Sequence, residues 1–454
     1  MIRAINPATG EVVSEHEEHS ATEVDRRLER AASAFEGWSR RSFDERASLV
    51  QRAASLFSNE RAALARLMAD EMGKPVTQGL GEVDKCAAAL RYYAENAARF
   101  LGDEAIPTEA EKSFVAFRPL GAVLAIMPWN FPLWQVVRFA APGLMAGNVG
   151  LLKHAANVPG CALALERLFR EAGLPEGVFQ TLLVGQDAIA KVIDDRRVAA
   201  VTLTGSTEAG RKVAARAGQA LKKVVLELGG SDPYVVLADA DVEHAAKVCV
   251  AARLVNAGQS CIAGKRFIVE RRVLPEFQRL FVEGMAKAKI GDPKDPSTQV
   301  GPLARADLRD ALHRQVMHTV EAGAKLVLGG SVPAGRGAFY PPTVLVDVQP
   351  GMAVFDEEAF GPVAALVAAE HEARALELAS TTPFGLGAAV FTRDRARGER
   401  IAKEELFAGA CFVNAQVKSD QRLPFGGIKD SGYGRELGVF GIREFVNVKS
   451  VWVE

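Results

Sequence analysis

The sequence carries almost no net charge: 55 Lys and Arg stand against 56 Asp and Glu, a formal balance of −1 at neutral pH. That balance removes the electrostatic case for a nucleic-acid or acidic-membrane surface and leaves a small molecule as the expected ligand. Long apolar runs are also missing. Stretches such as residues 123–127 fall far short of the ~20 residues that span a bilayer, so no membrane partner is expected. Charge and proline in Met1-Ile-Arg-Ala-Ile-Asn-Pro7 come before any secretory apolar segment can form. The five cysteines (Cys86, Cys161, Cys249, Cys261, Cys411) are scattered with no C-x-x-C spacing. Such a set speaks against a disulfide framework or a zinc site and fits a reducing cytoplasm. The pairs His16/His19 and His313/His318 lack ligand companions, so no metal is expected. Internal repeats and low-complexity tracts are absent.

What is present is the composition of a folded multi-domain chain, 48% hydrophobic and 24% charged over 454 residues. Residues 21–38 and 44–72 place apolar side chains at helical spacing, and Ser42-x-x-Glu45 reads as a capping box. The first hundred residues therefore read as mostly helical. Short apolar runs follow, among them Gly121-Ala-Val-Leu-Ala-Ile-Met127 and Val198-Ala-Ala-Val-Thr-Leu-Thr204, with helical segments such as 159–172 between them. Buried strands alternating with helices predict a parallel α/β sheet. A second such series begins after Gly229-Gly230 and includes a helix over 242–256. Two α/β domains joined near residue 230 are expected. Residues 445–453 alternate like a strand with an edge open to a partner.

Several segments carry chemistry. Asn256-Ala-Gly-Gln-Ser-Cys261 sets a cysteine at the end of a helical run, where loop amides would favour a thiolate. In Val225-Leu-Glu-Leu-Gly-Gly230, Glu227 is a carboxyl in apolar surroundings, its charged form disfavoured and its basicity raised. Met127-Pro-Trp-Asn-Phe-Pro132 is a rigid turn that aims the Asn130 amide, a potential oxyanion donor. Thr204-Gly-Ser-Thr-Glu-Ala-Gly210 leaves a strand and opens a helix, an anion-binding arrangement. Each has an ordinary alternative: an inert buried cysteine, a paired surface glutamate, a turn with an aromatic plug, a simple helix start.

Taken together and in this order, Pro128-Trp-Asn-Phe-Pro132, Lys153, Thr204-Gly-Ser206, Glu227-Leu-Gly-Gly230, Gly258-Gln-Ser-Cys261, Glu358-Ala-Phe-Gly-Pro362 and Pro424-Phe-Gly-Gly427 resemble the aldehyde dehydrogenase superfamily. The likeness runs from Asn6-Pro-Ala-Thr-Gly10 to the C-terminus. It implies an α/β fold with two parallel α/β domains and a small β oligomerisation element. The expected division is 1–100 with 120–229 for the cofactor, 230–429 for catalysis, and 101–119 with 430–454 for oligomerisation. A homodimer or dimer of dimers is the implied assembly.

The resemblance further implies oxidation of an aldehyde by Cys261 as nucleophile, through a thiohemiacetal and a thioester. Asn130 and the Cys261 N–H would hold the oxyanion, and Glu227 would activate water. Gly205 and Ser206 would meet the cofactor pyrophosphate, Lys153 the adenine ribose and Glu358 the nicotinamide ribose, with Trp129, Phe360 and Leu228 along the cofactor. Trp134-Gln-Val-Val-Arg-Phe139, Lys153-His-Ala155, Asn157-Val-Pro159 and Lys418-Ser-Asp420 look most like the bacterial succinate-semialdehyde dehydrogenases. Arg138 stands where enzymes of acidic semialdehydes carry an arginine for the far carboxylate, and Ser419 would add a hydroxyl. Val255 occupies the place of a second arginine of longer relatives, and Arg253 lies two positions away. Ala156 replaces the glutamate with which relatives that prefer NAD repel a 2′-phosphate, so NADP is favoured, with NAD also used. An acylating dehydrogenase, or a non-catalytic protein of this fold, would be expected to lack Glu227 or another of the catalytic residues. All are present.

Overall fold

The computed structural model describes all 454 residues. An antiparallel pair, Ile2–Ile5 and Val12–His16, opens the chain ahead of the expected helices. The helix Ala21–Trp38 follows. The stretch read as one helix over 44–72 is two, Phe43–Asn59 and Arg61–Met72, because Glu60 leaves helical geometry at φ −93° and ψ 13°. Ser42 and Glu45 close the capping box reciprocally. The long helix Val76–Phe100 completes the N-terminal layer and packs on Phe43–Asn59 and Arg61–Met72.

Two mainly parallel sheets carry the rest. The first orders its strands Gly432–Tyr433, Lys223–Glu227, Val198–Thr204, Ala122–Met127, Val149–His154, Phe179–Thr181, with only the first pair antiparallel. The second orders Lys325–Leu328, Thr343–Val346, Val363–Ala369, Gly264–Glu270, Asp232–Val236, Gly387–Phe391, Ala410–Val413, again with one antiparallel pair at its edge. The chain changes sheet between Glu227 and Asp232. Alternation along the second sheet is clean: Val235 and Ile268 feed one core, Tyr234, Val236 and Phe267 the core on the opposite face.

A third, antiparallel sheet joins Val446–Val453, Lys112–Pro119 and Glu104–Ala105. Before reaching it, the C-terminal segment lays Gly432–Tyr433 beside Lys223–Glu227. That pairing brings distant residues to Glu227. No helix is long and apolar enough to cross a membrane.

In open parallel sheets, ligands sit beyond the carboxyl ends of the strands. Here those ends are Met127, His154, Thr204 and Glu227, and Trp129, Asn130, Lys153, Gly205, Ser206 and Leu228 lie at or just beyond them.

Candidate active site

Cys261 sits in a tight loop between the helix Val242–Leu254 and the strand Gly264–Glu270. The helix expected to reach residue 256 stops at Leu254, since Asn256 and Ala257 adopt left-handed φ values of 52° and 53°. Such backbone is costly for residues with a Cβ and persists only when neighbours hold it. Here Arg253 Nη2 donates to Gly258 O at 2.6 Å, and Asn256 Nδ2 donates to Asn130 O at 2.7 Å and Gln259 O at 3.1 Å. Gly258, at φ 75°, packs so closely on Gly361 that a Cβ would collide with its carbonyl. Arg253 therefore points into the loop and braces it. Lys265, fully buried, donates to the carbonyls of Ser260 (2.9 Å) and Cys261 (2.7 Å) and lies 3.3 Å from Glu358.

Loop amides were expected to favour a Cys261 thiolate. Instead burial pushes the thiol up to about 12, only partly opposed by the positive charges of Arg138 and Lys265. Desolvation outweighs the two cations.

Glu227 ends its strand almost wholly buried, and neither carboxylate oxygen finds a hydrogen-bond partner. Burial drives its pKa well up, with Arg138 pulling the other way and Glu436 adding to the rise. Gly426 passes over it so closely that a Cβ there would stand 2.7 Å from Oε1. An unpartnered buried carboxyl with raised basicity is a base waiting for a proton.

Asn130 is buried between the two sheets, its Nδ2 donating to Gln259 O at 3.1 Å and its Oδ1 accepting from Gln135 Nε2 at 3.3 Å. One amide hydrogen remains beyond the bond to Gln259. The turn that carries Asn130 is fixed by a residue far back in the chain. Glu82 Oε1 accepts from Leu133 N and Trp134 N, both at 2.9 Å, at the start of the helix Trp134–Ala146. Its other oxygen pairs with the buried Lys74. A carboxylate at a helix N-terminus is favourably placed.

One turn along that helix, Arg138 is buried and paired with the buried Glu436. The contact sets charge against charge without an aligned hydrogen bond, since neither Arg138 Nε nor either Glu436 oxygen has one. Arg138 Nη2 donates to Gln135 Oε1 (2.8 Å) and Thr204 Oγ1 (3.3 Å), and its guanidinium stacks 4.8 Å from the Phe425 ring centre. Arg138 thus lines the cavity with its charge already answered. Ser419 is buried in the same cavity and accepts from Lys85 Nζ at 2.7 Å and Trp134 Nε1 at 3.2 Å.

Most of the other expected residues follow the carboxyl ends of the first sheet's inner strands, and Glu358 and Phe360 reach them from the segment before Val363–Ala369. Ser206 caps the helix Thr207–Gln219, accepting from Ala209 N at 3.2 Å, and Gly205 N donates to Glu227 O at 3.0 Å. Burial lowers the Lys153 pKa, with no carboxylate acting on it, and Ala156 is exposed nearby. Leu228 is buried. Glu358 Oε1 accepts from Gly230 N at 3.0 Å, and the Trp129 and Phe360 rings meet edge to face at 5.7 Å.

The aldehyde dehydrogenase family model matches residues 1–451. The chain belongs to the aldehyde dehydrogenase family. A protein of Synechocystis sp. named a probable succinate-semialdehyde dehydrogenase (NADP+) is 48% identical over 452 residues, which cover 100% of this chain and 99% of that one. An Escherichia coli succinate semialdehyde dehydrogenase (NAD(P)+) is 47% identical, covering 99% and 97%. The crystal structure of succinic semialdehyde dehydrogenase from Streptococcus pyogenes with NADP+ superposes with a TM-score of 0.98 at 36% identity, each chain fully covered.

For this aldehyde dehydrogenase, four residues of the site lay outside the motif reading: Glu82, Lys85, Lys265 and Glu436. Glu82 and Lys85 are three apart on one helix and so share a face, a spacing visible in the sequence. Glu436 arrives only because the tail joins the first sheet. Lys265 follows the Cys261 motif by four residues, and no local pattern marks it.

Proposed function

We propose that this aldehyde dehydrogenase oxidises succinate semialdehyde to succinate with NADP, NAD serving as a second cofactor. One observation carries the substrate class. A cavity of about 750 Å³ has Cys261 in its lining, and its charged lining is Lys85, Arg138, Lys247, Lys287 and Lys418 against a single carboxylate, Glu82. Glu82 is itself bonded to Lys74 and two backbone amides. A cleft of one sign draws and holds a substrate of the other.

The residues at the sheet edge fit a dinucleotide. The helix capped by Ser206 offers its N-terminal amides to a diphosphate, Asn157 Nδ2 is a buried donor without a partner, and Lys153 has no carboxylate beside it. Beside Lys153, Ala156 is exposed and bears no charge to repel a 2′-phosphate. When bound, the nicotinamide accepts the hydride.

The chain's own residues do the rest. Glu227 is the base we assign to the proton that the raised Cys261 pKa keeps on sulfur. The Cys261 thiolate then adds to the aldehyde carbon, and the Asn130 amide with the Cys261 N–H receives the developing oxyanion. Once the carbon is oxidised to a thioester and Glu227 has passed the first proton to solvent, water attacks it, Glu227 takes a water proton, the C–S bond breaks, the acid leaves and the freed Cys261 thiolate recovers the proton from Glu227. The presence of Glu227 favours water over coenzyme A as acceptor.

The open edge of Val446–Val453 pairs only on one side within the chain and exposes Val448 and Trp452. We infer that a second copy covers it, giving at least a homodimer.

Absorbance of the reduced cofactor tests the substrate reading. With succinate semialdehyde, kcat/KM is expected to exceed that with butanal by roughly tenfold or more, the factor supplied by about 1.4 kcal/mol. Equal values would refute it.

A further inference from the structure

An oxyanion donor works only if its N–H is aimed before the charge develops. The terminal torsion of an asparagine side chain is soft, with broad wells, so something outside Asn130 must set the plane of its amide. Gln259 O accepts from Asn130 Nδ2 at 3.1 Å, which holds one end. About that single bond the amide still swings. The other end is held by Gln135, whose Nε2 donates to Asn130 Oδ1 at 3.3 Å.

Gln135 is itself held. It is buried, and it is the second residue of the helix Trp134–Ala146, whose start Glu82 clamps. One turn on, Arg138 shares its face of the helix, and Arg138 Nη2 donates to Gln135 Oε1 at 2.8 Å. A guanidinium can only donate, and a backbone carbonyl can only accept. The row Arg138, Gln135, Asn130, Gln259 O therefore runs in one direction, and both amides in it are locked against flipping. Reversing either would set oxygen against oxygen at one contact and N–H against N–H at the next. Bonds in such a row also polarise one another, so the cation at its head strengthens the N–H that Asn130 has left to give.

Resting on the reading of Asn130 as the oxyanion donor, we propose that Gln135 is the positioning residue of that donor: it sets the plane of the Asn130 amide and ties it to Arg138. Each end of the Gln135 amide is bonded within the protein, which agrees with a place behind the donor rather than on the substrate. An oxyanion develops on every aldehyde, whatever the molecule carries at its far end. The effect of Gln135 therefore belongs to the chemical step and not to recognition of a carboxylate.

The test is a double-mutant cycle read in kcat/KM. Gln135→Met keeps the bulk of the side chain and removes both bonds. It is expected to lower kcat/KM roughly tenfold, by the same factor for succinate semialdehyde and for butanal, while the dissociation constant of NADP stays as in wild type. Gln135→Glu still accepts from Arg138 but as a carboxylate has no hydrogen for Asn130. It should show the same loss with butanal, and it stands in if Gln135→Met unfolds or no longer binds NADP. Asn130→Ala alone should cost roughly 10²-fold or more. Gln135→Met added to it should cost nothing further, because the route by which Gln135 reaches the reaction has gone. An unchanged kcat/KM in the Gln135 variant, a loss confined to succinate semialdehyde, or a loss that adds in full to that of Asn130→Ala would overturn the proposal and leave Asn130 as the donor. Near wild-type activity in Asn130→Ala would overturn the reading on which it rests.

Discussion

On the substrate side of Cys261, the buried charges are balanced by the protein itself: Lys74 against Glu82 and Arg138 against Glu436. On the cofactor side, Lys153 has no acid acting on it, Ser206 stands exposed at a helix start and Ala156 faces solvent. The first arrangement resists change. Removing one partner strands a charge in a medium that cannot solvate it. The second arrangement is nearly free of such couplings, so its residues exchange at little cost to folding and can tune which dinucleotide is taken. On the function proposed above, chemistry is built into the core and cofactor choice is left at the rim.

The hardest test of this contrast is the nucleophile. Cys261→Ala is expected to abolish dehydrogenase activity, a loss on the order of 10³-fold or more, while NADP still binds, because the thioester route has no other thiol in the loop. Steady-state rates and cofactor titration read the two halves separately. Activity within a few-fold of wild type would break the mechanism. Ala263 stands two residues beyond Cys261, so no neighbouring cysteine is there to substitute.

Next in size is the buried ion pair. Arg138→Met leaves Glu436 unpaired at 5% exposure, and breaking such a pair costs about 3–5 kcal/mol. Thermal or urea unfolding would show it. The sign with pH follows from Glu436, whose folded pKa burial already raises and Arg138 holds down. Without the arginine the carboxyl stays protonated in the folded chain to higher pH than in the unfolded one. Folding then takes up a proton, so the deficit should shrink as pH falls and grow as it rises. A variant as stable as wild type at neutral pH would show that the pair does not hold the site together.

What was legible in the sequence follows the same divide. Cofactor-side groups come from contiguous motifs at strand ends, and alternating strands and helices announced both sheets, since parallel strands buried on both faces read as short apolar runs. The N-terminal pair Ile2–Ile5 with Val12–His16 escaped notice because its strands are short and half exposed. On the substrate side the resemblance supplied Cys261, Glu227, Asn130 and Arg138 but not the other charges that surround them. Those charges come from a helix at 76–100 and a tail at 432–436, which only the folded chain brings near. The state of Cys261 was also misread for this reason. Local amides are visible in a sequence, whereas the desolvation that raises the Cys261 pKa comes only with the folded chain.

The smallest expected effect lies at the rim. A carboxylate installed as Ala156→Glu would sit three residues beyond Lys153, at an exposed position on the way into the helix Pro159–Glu171. It would accept hydrogen bonds from an adenosine ribose and repel a 2′-phosphate. At an exposed site with an effective dielectric well above that of the core, such repulsion is worth only on the order of 1 kcal/mol per charge pair. The ratio of kcat/KM for NADP to that for NAD should therefore fall by roughly five- to tenfold, salt weakening the effect. Stability should stay within about 0.5 kcal/mol of wild type, as for a surface substitution that leaves no buried group unpaired. An unchanged cofactor ratio would place the choice elsewhere, at the helix start capped by Ser206. A large loss of stability would mean that residue 156 is coupled to the core, and the two sides of Cys261 would then not differ in the way proposed.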